Sequence, residues 1–399
     1  MFDETKSWEN LSECMQEAID RWEGGLKTTG GSIVPEKSWV FPISFKFDNK
    51  GSASYKTLAE IDTTFTVLNQ DDSREVLACY EPTDGKETLG VFLSPEGNND
   101  AAFDALQSKA QQWRDNILAG HLNPSLAWQA AQTTIMKTLE YPLPALTLDY
   151  DECNKLMQIV KTGLLAKARI SRSFPSDALY GPSSEGGLNL NHLYVTQGLL
   201  HLEKFVRFLG SDSVTGNLLK VTMELCILES GIGRNLFQLD YNKYDMLLSP
   251  SWIKSLWKFS SEYGITIIDR IHAYPKISRE NDVFLMEAFE AQGFSPKVLQ
   301  VLNRCRIYLQ VFTLSDLMTC KGDTFTNTFL CQRDHQRRNN YHWPFQPQPS
   351  QNMIKTWKKA LRKTFQLKSG VTTYKLGNWL HSNFNEWVWF YHPSSKSLY

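Results

Sequence analysis

The sequence predicts an α+β protein, a small antiparallel sheet with a helix followed by a mainly helical region. Three observations carry this. Short β-like pieces separated by polar turns follow an N-terminal helix within the first hundred residues. Near Asp100 the apolar spacing changes to steps of three and four, and that helical periodicity continues to about residue 318. With 399 residues, 42% of them apolar and 12% aromatic, the chain has material for a sizeable core and for two or three domains.

Leu11, Met15, Ala18, Trp22 and Leu26 recur at helical spacing, and the run ends at Gly30-Gly31, where a left-handed turn costs little. The strand-like stretch "SIVPEKSWVFPISFKF" follows. Pro35 and Pro42 each lack an N–H and mark it as an edge or a broken ladder. "FTVLN" and "LGVFL" are two further strands, bounded by the turns "NQDDSR" and "PTDGK". These pieces define a first region, residues 1–97.

From Asp100, Phe103, Leu106, Ala110, Trp113 and Ile117 form a narrow helical seam. Further helices are expected over about 125–140, 150–168, 192–209 and 216–229. Ser278 and Ser295-Pro296 read as helix starts and Gly293 as a helix stop. "GITIIDRI" is a single late strand signal. The expected organisation is helical regions at 98–210 and 211–325, a polar, proline-rich linker at 326–352, and a basic amphipathic helix with an aromatic tail at 353–399.

The formal net charge of -1 favours no class of partner, but its distribution is uneven. Between Cys331 and Lys368, nine basic residues stand against Asp334 alone, so the remainder is net acidic. Seven cysteines without Cys-x-x-Cys spacing suit reduced, buried thiols. The first residues carry acids where a secretory signal carries bases, and no apolar run reaches membrane-spanning length. An intracellular protein, nuclear or cytoplasmic and not secreted, is expected, with no membrane span.

Five phrases in order, "WEGGLKTTGGSIVPEKSWVF", "TLGVFLSPEGNND", "LEYPLPALTL", "GPSSEGGLNLNHLY" and "WPFQPQPS", resemble the downstream half of reverse transcriptases from non-LTR retrotransposon-like elements. The intact family is an RNA-directed DNA polymerase that uses Mg2+. The resemblance implies a palm remnant with a terminal β-hairpin at 1–97 and a thumb-like region from residue 98. It also implies that the catalytic aspartates, two of them in an aromatic-x-Asp-Asp hairpin, lie upstream of this chain. Two-metal nucleotidyl transfer needs those carboxylates, so this chain alone is expected to be inactive and to need no cofactor. A catalytic half would be supplied upstream or in trans.

By the resemblance, Lys37 matches the family's general-acid position and Leu89, Gly90 and Val91 the hairpin that meets the primer end. From the residues alone, Lys37 is also an ordinary exposed lysine, and Leu89, Val91 and Leu93 alternate as a core strand would. Phe2-Asp3-Glu4-Thr5 only superficially echoes the catalytic hairpin, and Asp71-Asp72 reads as a solvated turn. Cys320, Cys331, His335 and His342 match no compact zinc spacing. Trp113 and Trp128 read as core.

The strongest site by composition is the basic C-terminal helix. Ile354, Trp357, Leu361 and Phe365 share one face, and Lys355, Lys358, Lys359, Arg362 and Lys363 occupy the others. Such a helix can follow an RNA or DNA backbone, with Arg337, Arg338, Tyr341 and Trp343 nearby for phosphate contact or stacking. It can equally meet an acidic membrane surface or a calmodulin-like groove, or be a solvated helix face that packs its Trp and Phe inward. The alternative for the whole chain is a structural or protein-interaction scaffold that binds no nucleic acid.

Overall fold

A computed structural model describes residues 8–48, 53–68, 73–268, 275–319, 321–333, 341–368, 371–372, 374–380, 391–392 and 397–398. The fold class is α+β, as the sequence predicts. The chain forms two compact units, Met1–Leu200 and His201–Tyr399.

In the first unit α1 (Trp8–Thr28) packs on a set of short strands: β1 (Trp39–Val40), β2 (Phe45–Phe47), β3 (Ala53–Tyr55), β4 (Thr66–Leu68), β5 (Arg74–Val76), β6 (Ala78–Cys79), β7 (Lys86–Thr88) and β8 (Val91–Leu93), with the single turn α2 (Leu58–Ile61) between β3 and β4. The described strands pair two by two, β2–β3, β4–β5 and β7–β8 antiparallel and β1–β6 parallel. Pro35 stands in a 3-10 turn and Pro42 between β1 and β2, so the strand-like stretch breaks where an N–H is missing. Phe65, Val67 and Leu77 form a small core against Met15, Ile19, Ile33, Val40 and Cys79.

The face that α1 presents differs from the expected seam at its end: Trp22 is 67% exposed, whereas Glu23 is buried. Hydrogen bonding explains the swap. Gln16 accepts from the Thr66 N–H (2.9 Å) and donates to its carbonyl (2.8 Å), and Glu23 accepts from the Leu68 N–H (2.8 Å). Polar side chains of a helix thus satisfy the edge of β4, a job that apolar periodicity cannot reveal.

α3 (Asp100–Ala119) packs on α6 (Tyr150–Lys167), with α4 (Pro124–Ala130), a π turn at Ala131–Ile135 and α5 (Met136–Glu140) between them in sequence. Gly163 permits the close approach. A Cβ there would lie 3.1 Å from Arg114 Cγ and 3.2 Å from Ile117 Cγ2. Leu106, Ala110 and Ile117 are buried as the seam requires, while Trp113 and Trp128 are half-buried. α7 (Ser176–Tyr180) and α8 (Leu193–Phe208) follow.

The second unit contains α9 (Val214–Ser230), α10 (Tyr241–Tyr244), α11 (Trp252–Glu262), α12 (Leu285–Ala291), α13 (Pro296–Leu309) and α14 (Gln351–Phe365), then the two-residue strands β9 (Leu367–Lys368), β10 (Val371–Thr372), β11 (Tyr391–His392) and β12 (Ser397–Leu398). Trp257, Phe289, Leu302, Trp357 and Phe365 lie in one core. Ser295-Pro296 begins α13, and Gly293 (φ 70°) follows α12, both as expected.

Ser278 does not begin a helix. Leu285 N–H bonds the Phe312 carbonyl (2.9 Å) and Leu314 N–H the Val283 carbonyl (3.0 Å), so the chain before α12 is held extended. The late strand signal is also not realised in its described part, Ile265–Ile268, where Asn235 Nδ2 donates to the Ile267 carbonyl (3.0 Å).

Candidate nucleic-acid interface

α14 starts at Ser350, whose hydroxyl accepts from the Met353 N–H (3.4 Å). Ile354, Trp357, Ala360, Leu361 and Phe365 are buried, and Trp357 Nε1 donates to the Thr328 carbonyl (3.0 Å). α14 runs antiparallel to α13: Cys305 meets Met353 at one end, and Lys363 Nζ donates to the Gln292 carbonyl (3.3 Å) at the other. The helix expected to follow a linker is therefore a core element of the second unit.

Its opposite face carries Lys355, Lys358, Lys359, Arg362 and Lys363, and the helix contains no acid. Lys358 is half-buried and the other four are exposed. Arg362 lies 5.4 Å from the Phe329 ring centre and Lys363 4.8 Å from that of Phe294. Among the described residues, Lys355, Lys358 and Lys359 have no hydrogen-bonded or ion-paired partner. The cations at 362 and 363 also complement the helix C-terminus. Arg337 and Arg338 lie outside the described residues.

Tyr341 and Trp343, expected as free stacking surfaces, are instead packed inward. Their rings lie 5.4 Å and 4.7 Å from Phe312. Between them and α9 sits Arg306, fully buried. Its Nε donates to Asn303 Oδ1 (2.8 Å), its Nη1 to the Val311 carbonyl (3.1 Å), and its Nη2 to the carbonyls of Leu228 and of Glu229 (3.2 Å). Burial pushes its pKa down to about 9, still high enough to leave it charged at neutral pH. Apolar periodicity gave no sign of this residue.

In the first unit, Leu89 (φ 51°) and Gly90 (φ 82°) form the two-residue turn of the β7–β8 hairpin. Leu89 is 87% exposed and Val91 half-buried, so the stretch is a projecting hairpin tip and not a core strand. Tyr141 Oη donates to the Leu89 carbonyl (2.9 Å) and steadies the tip. Lys37 is exposed at the end of the 3-10 turn Pro35–Lys37, its backbone N–H bonded to the Val34 carbonyl (3.0 Å).

The same unit holds a buried titratable group, a lone histidine that no sequence motif marks. His192 is buried, stacked on Tyr150 (5.4 Å) and edge-on to Tyr180 (5.0 Å), and its Nδ1 accepts from the Tyr194 N–H (3.3 Å). Burial, and then the nearby Lys161 ammonium, hold its pKa below the ordinary value. Burial pushes the Tyr180 phenol up to about 12.

Among the described residues no group of three or more His, Cys, Asp or Glu is placed to hold a metal ion. Phe2–Thr5, Asp71, Asp72, Cys320 and His335 lie outside them. Cys331 is buried against Cys305, whose thiol is raised by its hydrogen bond with Cys331 and then by burial, whereas His342 is exposed. No helix among the described residues is long and apolar enough to cross a membrane. Comparison with protein-family models, with curated proteins and with solved structures found no match to this chain.

Proposed function

We propose that this chain is a non-catalytic part of a retroelement reverse transcriptase, and that it binds RNA or DNA without sequence preference through the outer face of α14. The ordered phrases of the sequence support the family. The binding reading is carried by one observation: five cations on the outer face of a rigidly seated helix that has no acid to neutralise them. Lys and Arg so placed release counterions from a phosphate backbone on binding, which supplies affinity without reading bases. The β7–β8 tip, projecting and tethered by Tyr141, suits contact with a primer end. Lys37, exposed on its turn, is compatible with a general-acid role only when a catalytic centre is brought to it. The carboxylates and Mg2+ for polymerisation belong to that centre, upstream or in trans.

The test is affinity for an RNA–DNA hybrid, duplex DNA and single-stranded RNA, with a variant in which Lys358, Lys359, Arg362 and Lys363 are alanine. A loss of about a hundred-fold or more at low salt is expected, since four phosphate contacts vanish together. Unchanged affinity would sink the reading. It would favour the second one, a scaffold whose basic helix is only solvated, for which the engagement of Arg362 and Lys363 with Phe329 and Phe294 speaks.

A further inference from the structure

The second unit contains a cleft of about 230 Å³ that α14 does not form. Its apolar lining is Met246, Leu247, Leu248 and Ile307, and its polar groups include Gln300, Arg304 and Gln346. Two neighbouring groups are already used. Both Glu229 carboxylate oxygens accept from Ser249, from Oγ at 2.6 Å and N–H at 2.9 Å. Asn303 donates to the Glu229 carbonyl (2.7 Å) and accepts from Arg306.

The other three are open to a ligand. Gln300 donates to the Met246 carbonyl (3.3 Å), which leaves its own oxygen as an acceptor. Among the described residues, the Arg304 guanidinium and the Gln346 amide have no hydrogen-bond partner. The cleft therefore offers apolar surface, a guanidinium fork, an amide and one free acceptor. That combination fits a planar heteroaromatic group with apolar faces and a hydrogen-bonding edge.

Size narrows the choice. The cleft is smaller than the roughly 300–1,000 Å³ of sites that enclose drug-sized ligands, which leaves room for a base with its sugar and phosphate outside. A guanidinium fork matches the paired acceptors O6 and N7 of guanine, while adenine presents a donor in place of O6. The Gln300 oxygen adds an acceptor for the guanine N–H groups. Gln346 stands five residues before Gln351, the first residue of α14, so one segment of chain links the cleft to the cationic helix.

We propose that this cleft takes a single unstacked guanine base from a strand whose phosphates follow α14. The proposal rests on the nucleic-acid reading above. Taking one base out of the stack costs a few kcal/mol in a duplex and less in a single strand, so single-stranded RNA or DNA is the expected ligand.

The test titrates the whole chain with guanosine 5′-monophosphate, adenosine 5′-monophosphate and ribose 5-phosphate. The side-chain amide resonances of Gln300 and Gln346 are followed. Guanosine 5′-monophosphate is expected to shift both at roughly millimolar concentration, with the other two at least about ten-fold weaker. Gln346→Leu and Arg304→Met should each remove the shift of the Gln300 resonance. They should also weaken a guanine-containing single strand about ten-fold while leaving the same strand with that base removed unaffected. Equal responses to guanosine 5′-monophosphate and ribose 5-phosphate would show a phosphate site and overturn the proposal. So would no response, or an equal response to the adenine nucleotide.

The two readings separate cleanly. Oligonucleotide binding without any mononucleotide response rejects the cleft and keeps the α14 interface. A mononucleotide response that survives when oligonucleotides fail to bind keeps the cleft and rejects the interface.

Discussion

Arg306→Met removes the guanidinium that ties three pieces of the second unit together. The native side chain serves four acceptors, Asn303 Oδ1 and the carbonyls of Leu228, Glu229 and Val311. Methionine fills much of the volume but donates to none of them. A buried acceptor left without a donor costs about 1–3 kcal/mol. Simple addition overstates the loss, because Glu229 O keeps its bond from Asn303 and burying the native charge was itself unfavourable. A net loss of about 3–5 kcal/mol follows, the lower part of what three orphaned acceptors would cost, because relief of the buried charge offsets the rest.

Urea unfolding followed by tryptophan fluorescence suits this unit, since Trp257 and Trp357 are fully buried in it. With a slope of about 2 kcal/mol per M, the midpoint should fall by roughly 1.5–2.5 M. Arg304→Met, an exposed neighbour, should stay within about 0.5 kcal/mol of the parent. Arg306→Met behaving like Arg304→Met would refute the account of how α9, α13 and the 311–312 segment are joined.

Replacing Lys355, Lys358 and Lys359 with alanine should make the salt dependence of duplex binding shallower by about 2.7 in log–log slope without lowering the thermal midpoint; an unchanged slope would place the phosphate contacts elsewhere. His192 predicts a pH effect confined to the first unit. Its pKa is depressed in the folded state, so the unfolded chain binds more protons just below pH 6.5, and stability must fall as pH drops through that range. His192→Gln should flatten the dependence, as read by chemical denaturation from pH 7.5 to 5. Gly163→Val should cost about 1–3 kcal/mol by forcing α3 from α6, measured as a lower urea midpoint; a neutral outcome would mean that the helix pair yields freely.

Much of the helical framework was legible because burial imposes a period. The seam Leu106, Ala110 and Ile117 lies inside, and the cap at Ser295-Pro296 and the stop at Gly293 stand where they were expected. The amphipathic face of α14 was equally plain. The sequence did not show which element α14 packs its Trp and Phe against, because its docking on α13 is a long-range contact that no local period encodes.

Trp22 and Glu23 exchanged places for the same kind of reason: the decisive partner, the Leu68 N–H, is distant in sequence. Tyr341 and Trp343 read as free aromatics until Phe312 and Arg306 were found beneath them. Of the cleft, the sequence showed only that a helix begins at Ser295-Pro296, the helix that carries Gln300 and Arg304. Its other wall comes from Met246 to Ser249 and from Gln346.

The most direct measurement of the central claim is the affinity of the intact chain for duplex DNA across a salt series from about 50 to 200 mM. If the five cations of α14 contact phosphates, log affinity falls linearly with log salt, with a contribution of about -4.5 to the slope from those residues. No binding at the lowest salt, or binding that salt leaves unchanged, would contradict the claim.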